Sequence, residues 1–322
     1  MYKSLNQIGE FSLIEKIKDW LKNKNDKTII GIGDDAAVVP SFKHPLVISK
    51  DALIEGTHFT KKITSFYDLG WKSLGVNISD ISAMGAKPYF ALIAIAAPKN
   101  LTLKQIKEFY NGFKALADIT KVQLIGGDTI HSRKDIMVSV TIIGKISGKK
   151  PIRRSTAKPG DAVCATGTFG DSAYGLYLLK KGKKDKLFSK RFNRPMPRWE
   201  YGAKIGKFNL ANAMMDVSDG LVSTINEIMA KSKTGCNIMY DKIPVNKNLI
   251  QKAGIKKAMS YALYGGEDYE LVFTVPKQKL KKVTKILPDA QVIGSVTKGK
   301  KITFLNKQKK PLKIRKKGYT AF

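Results

Sequence analysis

Short apolar runs of strand length alternate with stretches of helical period along most of the chain, and this alternation constrains the fold more than any other feature. It excludes a helix bundle or a β-sandwich and leaves a mixed fold, α+β or α/β. In the first half, strands are expected at Leu46 to Ser49, Tyr89 to Ala96, Val122 to Ile125 and Ile136 to Gly144. One helix fits from about Tyr67 to Met84. Another opens with Thr102 and Gln105 in capping-box spacing and sets Leu103, Ile106, Tyr110, Phe113 and Ala117 on one face. The resulting order, βαβαββ, is close to a ferredoxin-like unit. The segment Ser147 to Gly160, rich in Lys, Arg, Pro and Gly, breaks the periodicity, so domains are expected at 1–147 and 148–322. Beyond it, strands at Ala162 to Thr166, Ala213 to Asp216, Cys236 to Tyr240, Leu271 to Val275 and Gln291 to Val296 alternate with helical stretches.

No apolar run reaches the roughly 18 residues of a membrane span, and Met1 to Trp20 mixes charged with apolar residues, so a cytoplasmic protein without membrane segments is expected. Cys164 and Cys236 lie far apart and outside the acidic motifs, which reads as two free, buried thiols. His44, His58 and His131 lack metal-ligand spacing. The net charge of +32 raises the question of nucleic acid, but the lysines are dispersed rather than gathered into a patch. A solvated lysine surface, and no nucleic-acid partner, is the favoured reading. Its field would draw in anionic nucleotides.

The acids are distributed differently. Only 26 Asp and Glu stand against 58 Lys and Arg, yet eleven of them (Asp34, Asp35, Asp51, Glu55, Asp80, Asp128, Asp216, Asp219, Glu267, Asp268, Glu270) fall in or beside glycine-rich motifs. Glycine permits close approach of backbone and ligand, and carboxylates are hard oxygen donors, so the combination points to Mg²⁺ with phosphates. Each motif has a plainer alternative: an Asx turn at Asp34 and Asp35, a surface loop at Glu55 and His58, a helix cap at Ser218 or Asp219. Asp51, Asp128 and Asp216 are expected at the carboxyl ends of strands, where α/β proteins place ligand sites. Asp80 sits in a small-residue helix without the Lys/Glu pairs of a solvent face. Two carboxylates 4 Å apart repel by about 4 kcal/mol at an effective dielectric near 20, so converging acids require a cation, a lysine or a shared proton.

Two glycine motifs imitate phosphate loops. Gly31-Ile-Gly-Asp-Asp-Ala36 fits the dinucleotide fingerprint, but its aspartates would repel pyrophosphate and Ala37-Val-Val-Pro40 does not begin a helix. Gly294 to Lys301 has Lys where a P-loop has the hydroxyl that holds Mg²⁺. Phosphate is therefore expected to be held through metal.

The ordered set Gly9-Glu-Phe11, Gly31 to Ala36, Asp51 to Phe59, Val76-Asn-Ile-Ser-Asp80 with Met84-Gly-Ala86, Gly126-Gly-Asp-Thr129, Lys158-Pro-Gly-Asp161, Thr166 to Asp171, Asp216-Val-Ser-Asp-Gly220 and Gly265-Gly-Glu-Asp-Tyr-Glu-Leu271 resembles the thiamine-monophosphate kinase family, within the aminoimidazole-ribonucleotide synthetase-like superfamily. The resemblance implies an N-terminal domain that dimerises through its sheet into a homodimer, and ATP meeting thiamine monophosphate between the two domains. It implies several Mg²⁺ ions held by Asp35, Ser49, Asp51, Asp80, Asp128, Asp216 and Asp219. ATP contacts would come from Tyr110, Gly127, Asp128, Arg154 and Ser218, and acceptor contacts from His58, Glu267 and Tyr319. Helical spacing independently assigns Tyr110 to the core face, and a guanidinium such as that of Arg154 suits phosphate oxygens. Direct transfer of the γ-phosphoryl group follows, with no side-chain nucleophile. Lys50 stands where the family usually has Thr before the motif aspartate, which suggests an ammonium replacing part of one metal's charge. The competing readings are another ATP-using synthetase of the superfamily and, on charge alone, a basic nucleic-acid-binding protein. A selenophosphate synthetase would need a reactive Cys in the N-terminal glycine-rich segment, where this chain has none.

Overall fold

The computed structural model describes residues 4–22, 27–32 and 36–314. By internal contacts the chain forms two units, one comprising 1–81 and 88–145, the other 82–87 and 146–322. The short turn 82–87 thus belongs with the second unit although both of its flanks belong to the first.

The first unit begins with α1 (Leu5–Ile8) and α2 (Glu10–Trp20), followed by β1 (Leu46–Ile54), α3 (Phe66–Ala83), β2 (Ala86–Ala97), α4 (Leu103–Thr120), β3 (Gln123–His131) and β4 (Met137–Ile146). From β1 onward this is the expected βαβαββ order. The strands form a sheet in the order β1-β4-β2-β3, with β1 antiparallel to β4 and β2 parallel to β3. The parallel pair follows from its helical crossover, α4. That helix opens on the expected capping box: the Thr102 hydroxyl accepts the Gln105 N–H, and the Gln105 side chain accepts the Thr102 N–H. Its buried face comprises Ile106, Phe109, Tyr110, Phe113, Leu116 and Ala117. Helix α3 is buried almost all round, which accounts for its run of small and apolar residues. The two helices touch backbone to backbone: a Cβ on Gly70 would fall 1.9 Å from the Phe109 carbonyl oxygen, and one on Gly112 would fall 1.8 Å from that of Tyr67. Only glycine fits either notch.

The second unit contains β5 (Ala162–Ala165), α5 (Asp171–Lys180), α6 (Lys186–Asn193), α7 (Trp199–Lys207), β6 (Ala213–Asp216), α8 (Leu221–Ser232), β7 (Gly235–Met239), α9 (Lys247–Ala253), α10 (Ile255–Tyr264), β8 (Leu271–Val275), α11 (Leu280–Ile286), β9 (Gln291–Thr297), β10 (Ile302–Leu305) and β11 (Pro311–Leu312). The sheet order is β11-β10-β7-β9-β5-β8-β6. Strands β5 and β8 are buried on both faces. In β8, Val272 joins a core that includes Leu221, Ile225 and Met259 from α8 and α10, whereas Leu271, Phe273 and Val275 join one with Ile205 and Val283 from α7 and α11. The two cysteines are free and buried, as expected, with burial pushing each thiol up to about 12.

Neither phosphate-loop imitation leads into a helix among the described residues, of which Gly33, Asp34 and Asp35 are not part. Gly294 lies within β9 and Gly299 in the turn that follows, which leads to β10 rather than to a helix. Around the first, Ile30 and Val38 pair as an antiparallel bridge, and no helix follows through Pro45 among the described residues.

Candidate functional site

In the first unit, the strand period of two and the helix spacing of three bring α3 against β1. Ser49 and Asp51 share one face of β1; Asn77 and Asp80 share one face of α3. The Ser49 hydroxyl donates to Asp80 Oδ2 at 2.5 Å, and Asn77 Oδ1 accepts the Asp51 N–H at 2.9 Å. Asn77 is itself held by donation from its amide nitrogen to the Ser73 carbonyl. The result is a set of hard oxygen donors fixed on two rigid elements. Asp51 departs from the expected position: β1 runs on to Ile54, so Asp51 stands within the strand, opposite Val140, rather than at its end. The same alternation puts the exposed Lys50 on the opposite face, with Ile48 and Ala52, so its ammonium is turned away from the donor face.

Asp128 also lies within a strand rather than at its end, because β3 continues to His131. Pairing with β2 skips Ile125, and this bulge resets the alternation that sends Asp128 to the exposed face. Its neighbour Gly127 has a direct steric cause, since a Cβ there would lie 2.0 Å from the Ile93 carbonyl oxygen.

His58 is oriented by its own loop: Nδ1 accepts the Ile54 N–H at 3.1 Å, which leaves Nε2 to carry the proton of the neutral ring. Glu55 is engaged structurally, accepting the Ile136 N–H and pairing with Lys61 at 3.0 Å. Tyr110 is only 2 % exposed, packed against Phe109 and Trp20, and burial holds its phenol well above the ordinary range. The structure thus gives Tyr110 the packing role that its helical spacing suggested; an ATP contact rests on the resemblance alone.

In the second unit, Asp216 ends β6 as expected and is buried. The loop that follows is bonded to the Gly265–Leu271 segment: Glu267 donates its N–H to the Ser218 carbonyl at 2.6 Å, Tyr269 to that of Val217, and Val217 to that of Glu270. Helix α8 is capped by Gly220 without a side-chain bond, so the capping alternative for Ser218 and Asp219 does not hold and both side chains remain available. Partial burial, then the neighbouring Glu267 charge, raises the Asp219 carboxyl above its usual range. Arg154 is half exposed and lies 3.6 Å from Glu227 of α8.

The three acids of the Gly265–Leu271 segment have separate fates. Glu267 stays partly exposed beside Asp219. Asp268 turns inward to accept the Gly170 and Ser172 N–H groups, and burial raises its carboxyl well above normal. Glu270 is buried in a bidentate pair with Arg198 and accepts the Thr166 hydroxyl. Sequence reasoning missed Arg198, which lies far along the chain from its partner, and gave Asn77 no role although it stands three residues before Asp80 in a quoted motif.

Asp35 and Tyr319 lie outside the described residues. Among those described, no three His, Cys, Asp or Glu side chains gather as a ready metal cluster. The side chains expected to hold metal, Ser49, Asp51, Asp80 and Asp128 in one unit and Asp216 and Asp219 in the other, all offer hard oxygens, the chemistry that suits Mg²⁺ rather than a soft transition metal.

Residues 33–146 match the family model described as AIR synthase related protein, N-terminal domain, and residues 158–306 match that described as AIR synthase related protein, C-terminal domain. The chain is 38 % identical to the thiamine-monophosphate kinase of Buchnera aphidicola subsp. Schizaphis graminum, across 98 % of this chain and 99 % of that one. Its structure resembles the crystal structure of thiamine-monophosphate kinase from Stenotrophomonas maltophilia K279a, with a TM-score of 0.83 and 34 % identity over 92 % of this chain and 96 % of the other. It also resembles AaThiL complexed with AMPPCP and TMP, with a TM-score of 0.78 and 35 % identity over 99 % of both chains.

Proposed function

Because the chain belongs to the thiamine-monophosphate kinase family of AIR synthase related proteins, we propose that it transfers the γ-phosphoryl group of ATP to thiamine monophosphate, releasing ADP and thiamine diphosphate. The observation that carries this reading is likeness over essentially the full length of both chains to a relative bound to AMPPCP together with TMP. In AMPPCP a carbon replaces the β,γ-bridging oxygen, so it occupies an ATP site without transferring its terminal phosphoryl group.

The chemistry asks little of the side chains beyond placement and charge. A phosphate oxygen of the acceptor attacks the γ-phosphorus as the bond to the bridging oxygen of ADP breaks. The nucleophile is already anionic, so no strong general base is needed. His58, with Nε2 as its outward donor, suits an acceptor phosphate, and Glu267 suits the cationic thiamine side. Arg154, Ser218 and Gly127 serve the nucleotide, with Tyr110 assigned to it by the family pattern, as Tyr319 is to the acceptor. Ser49, Asp51, Asp80, Asp128, Asp216 and Asp219, together with Asp35, would hold Mg²⁺, which when bound offsets the charge of the approaching anions.

A homodimer through the first unit's sheet is part of this reading. It is supported by β1, an edge strand whose outward face leaves Leu46, Ile48 and Ile54 exposed, Ile48 by 64 %. No helix among the described residues is long and apolar enough to cross a membrane. A cytoplasmic location accords with the use of ATP. The deciding experiment measures ADP release with ATP, Mg²⁺ and thiamine monophosphate, with Asp80→Asn as control. Wild-type turnover that depends on the acceptor and is lost in the variant is expected; wild-type release no faster than background would end the kinase reading.

A further inference from the structure

The Gly265–Leu271 segment holds two non-glycine residues in the left-handed region, Glu267 at φ 66° and Tyr269 at φ 51°, on either side of Asp268. Such a conformation is unfavourable for an L side chain and persists only where the surroundings over-determine it. The backbone bonds from Glu267 to Ser218 and from Tyr269 to Val217 fix the outer side of the segment. Its inner side is fixed by Asp268. The carboxylate accepts the Gly170 N–H at 2.8 Å through Oδ2 and the Ser172 N–H at 3.3 Å through Oδ1. Helix α5 begins at this point with Gly170, at φ 89° and without a side-chain cap of its own. Asp268 therefore supplies, from nearly a hundred residues away, the acceptor that a capping Ser or Asp would ordinarily provide.

Alternation of left-handed, ordinary and left-handed residues sends consecutive side chains in different directions. With Asp268 clamped on α5, Glu267 is left partly exposed beside Asp219. We propose that Asp268 is a positioning residue for the acceptor: its clamp on the start of α5 sets the backbone at Glu267 and so aims the Glu267 carboxylate. Release of the clamp lets Glu267 and Tyr269 relax toward ordinary φ, and Glu267 swings off its bearing. Glu267 donates its N–H to the Ser218 carbonyl, so part of the change is expected to reach the nucleotide contact at Ser218, with the acceptor affected more than the nucleotide. This inference rests on the kinase reading, in which Glu267 serves the acceptor.

The test compares wild type, Asp268→Asn and Asp268→Ala in steady-state kinetics, varying thiamine monophosphate and ATP separately, with thermal unfolding run on each protein. Asparagine keeps one acceptor oxygen, whereas alanine keeps none. The expected result is a KM for thiamine monophosphate raised by about tenfold or more in Asp268→Ala and by less in Asp268→Asn, with the KM for ATP raised several-fold less than that for thiamine monophosphate in each variant. Equal losses for both substrates, or acceptor KM values unchanged in both variants, would overturn the proposal. Should Asp268→Ala fail to fold, Asp268→Asn decides, and failure of both to fold assigns Asp268 to stability alone. A wild type inactive on thiamine monophosphate removes the kinase reading and this inference with it; an active wild type with unaltered variants removes only this inference.

Discussion

Replacement of Arg198 by Met tests how firmly the Gly265–Leu271 segment is anchored. The Glu270 side chain is 2 % exposed and that of Arg198 is 23 % exposed. Two guanidinium nitrogens reach the two carboxylate oxygens at 2.5 and 2.9 Å, and the Thr166 hydroxyl adds a donor at 2.6 Å. Methionine fills much of the arginine stem's volume but leaves a buried carboxylate with that hydroxyl as its remaining side-chain donor. Breaking a buried pair from one side costs about 3–5 kcal/mol, and the residual exposure of Arg198 places this case at the lower end, about 3 kcal/mol. At roughly 2–4 °C per kcal/mol, the melting transition of Arg198→Met should fall by about 6–12 °C in differential scanning calorimetry. Arg198 also lies 3.1 Å from the Asp289 carboxylate, whose partner both variants remove alike; the double variant Arg198→Met with Glu270→Met removes the buried stranded charge and should melt above the single variant. A single variant within about 1 kcal/mol of wild type, or a double variant no more stable than the single, would refute the assignment of Glu270 to anchoring.

Three other outcomes are expected. Gly127→Ala should lose about 1–3 kcal/mol of stability by overpacking against the Ile93 carbonyl, whereas Gly126→Ala meets only the flexible end of Leu92 at 3.1 Å and should lose less; chemical denaturation of the two variants ranks them. Lys50→Thr should leave the number of bound Mg²⁺ ions unchanged in titration calorimetry, because Lys50 faces away from Ser49 and Asp51; a changed number would show that its ammonium does substitute for metal charge. Burial holds the Asp268 carboxyl well above its usual range, so the folded state takes up its proton at higher pH than the unfolded chain. Lowering the pH from 7 to 5 should therefore stabilise wild type relative to Asp268→Asn, read as the change in their melting difference; the opposite trend would show that the two amide bonds outweigh burial.

The order of elements in the first unit was legible because each has a single dominant period: βαβαββ followed from runs such as Ile136 to Gly144 and from the Thr102 capping box. Strand ends were less legible. Asp51 and Asp128 are polar residues in strands that continue past them; both are exposed, and an exposed strand position has no need to be apolar, so polarity there does not mark a strand end. The bulge at Ile125 had no signature beyond the following glycines. Acids grouped by sequence motif also proved to be of different kinds. Glu267, Asp268 and Glu270 are nearly adjacent, yet their partners, Ser218, the start of α5 and Arg198, are set by tertiary folding and cannot be found by spacing. The family pattern supplied roles for residues whose chemistry alone left alternatives open, as with Ser218, where the geometry of Gly220 then removed the capping alternative.

The assignment of 82–87 to the second unit makes the two units inseparable by a single cut. A fragment ending near residue 146 would carry this turn without Gly202 and Gly206, whose missing side chains let them lie against the Ser82 and Gly85 carbonyls. During synthesis the first unit's sheet can assemble once β4 has emerged, but the turn linking α3 to β2 has no bed until α7 is made. Exchange of the N-terminal half with that of a relative must therefore carry matching residues on α7, and a chimera joined only at the interdomain segment is expected to fail first at Gly85, Gly148 and Gly206, where backbone meets backbone.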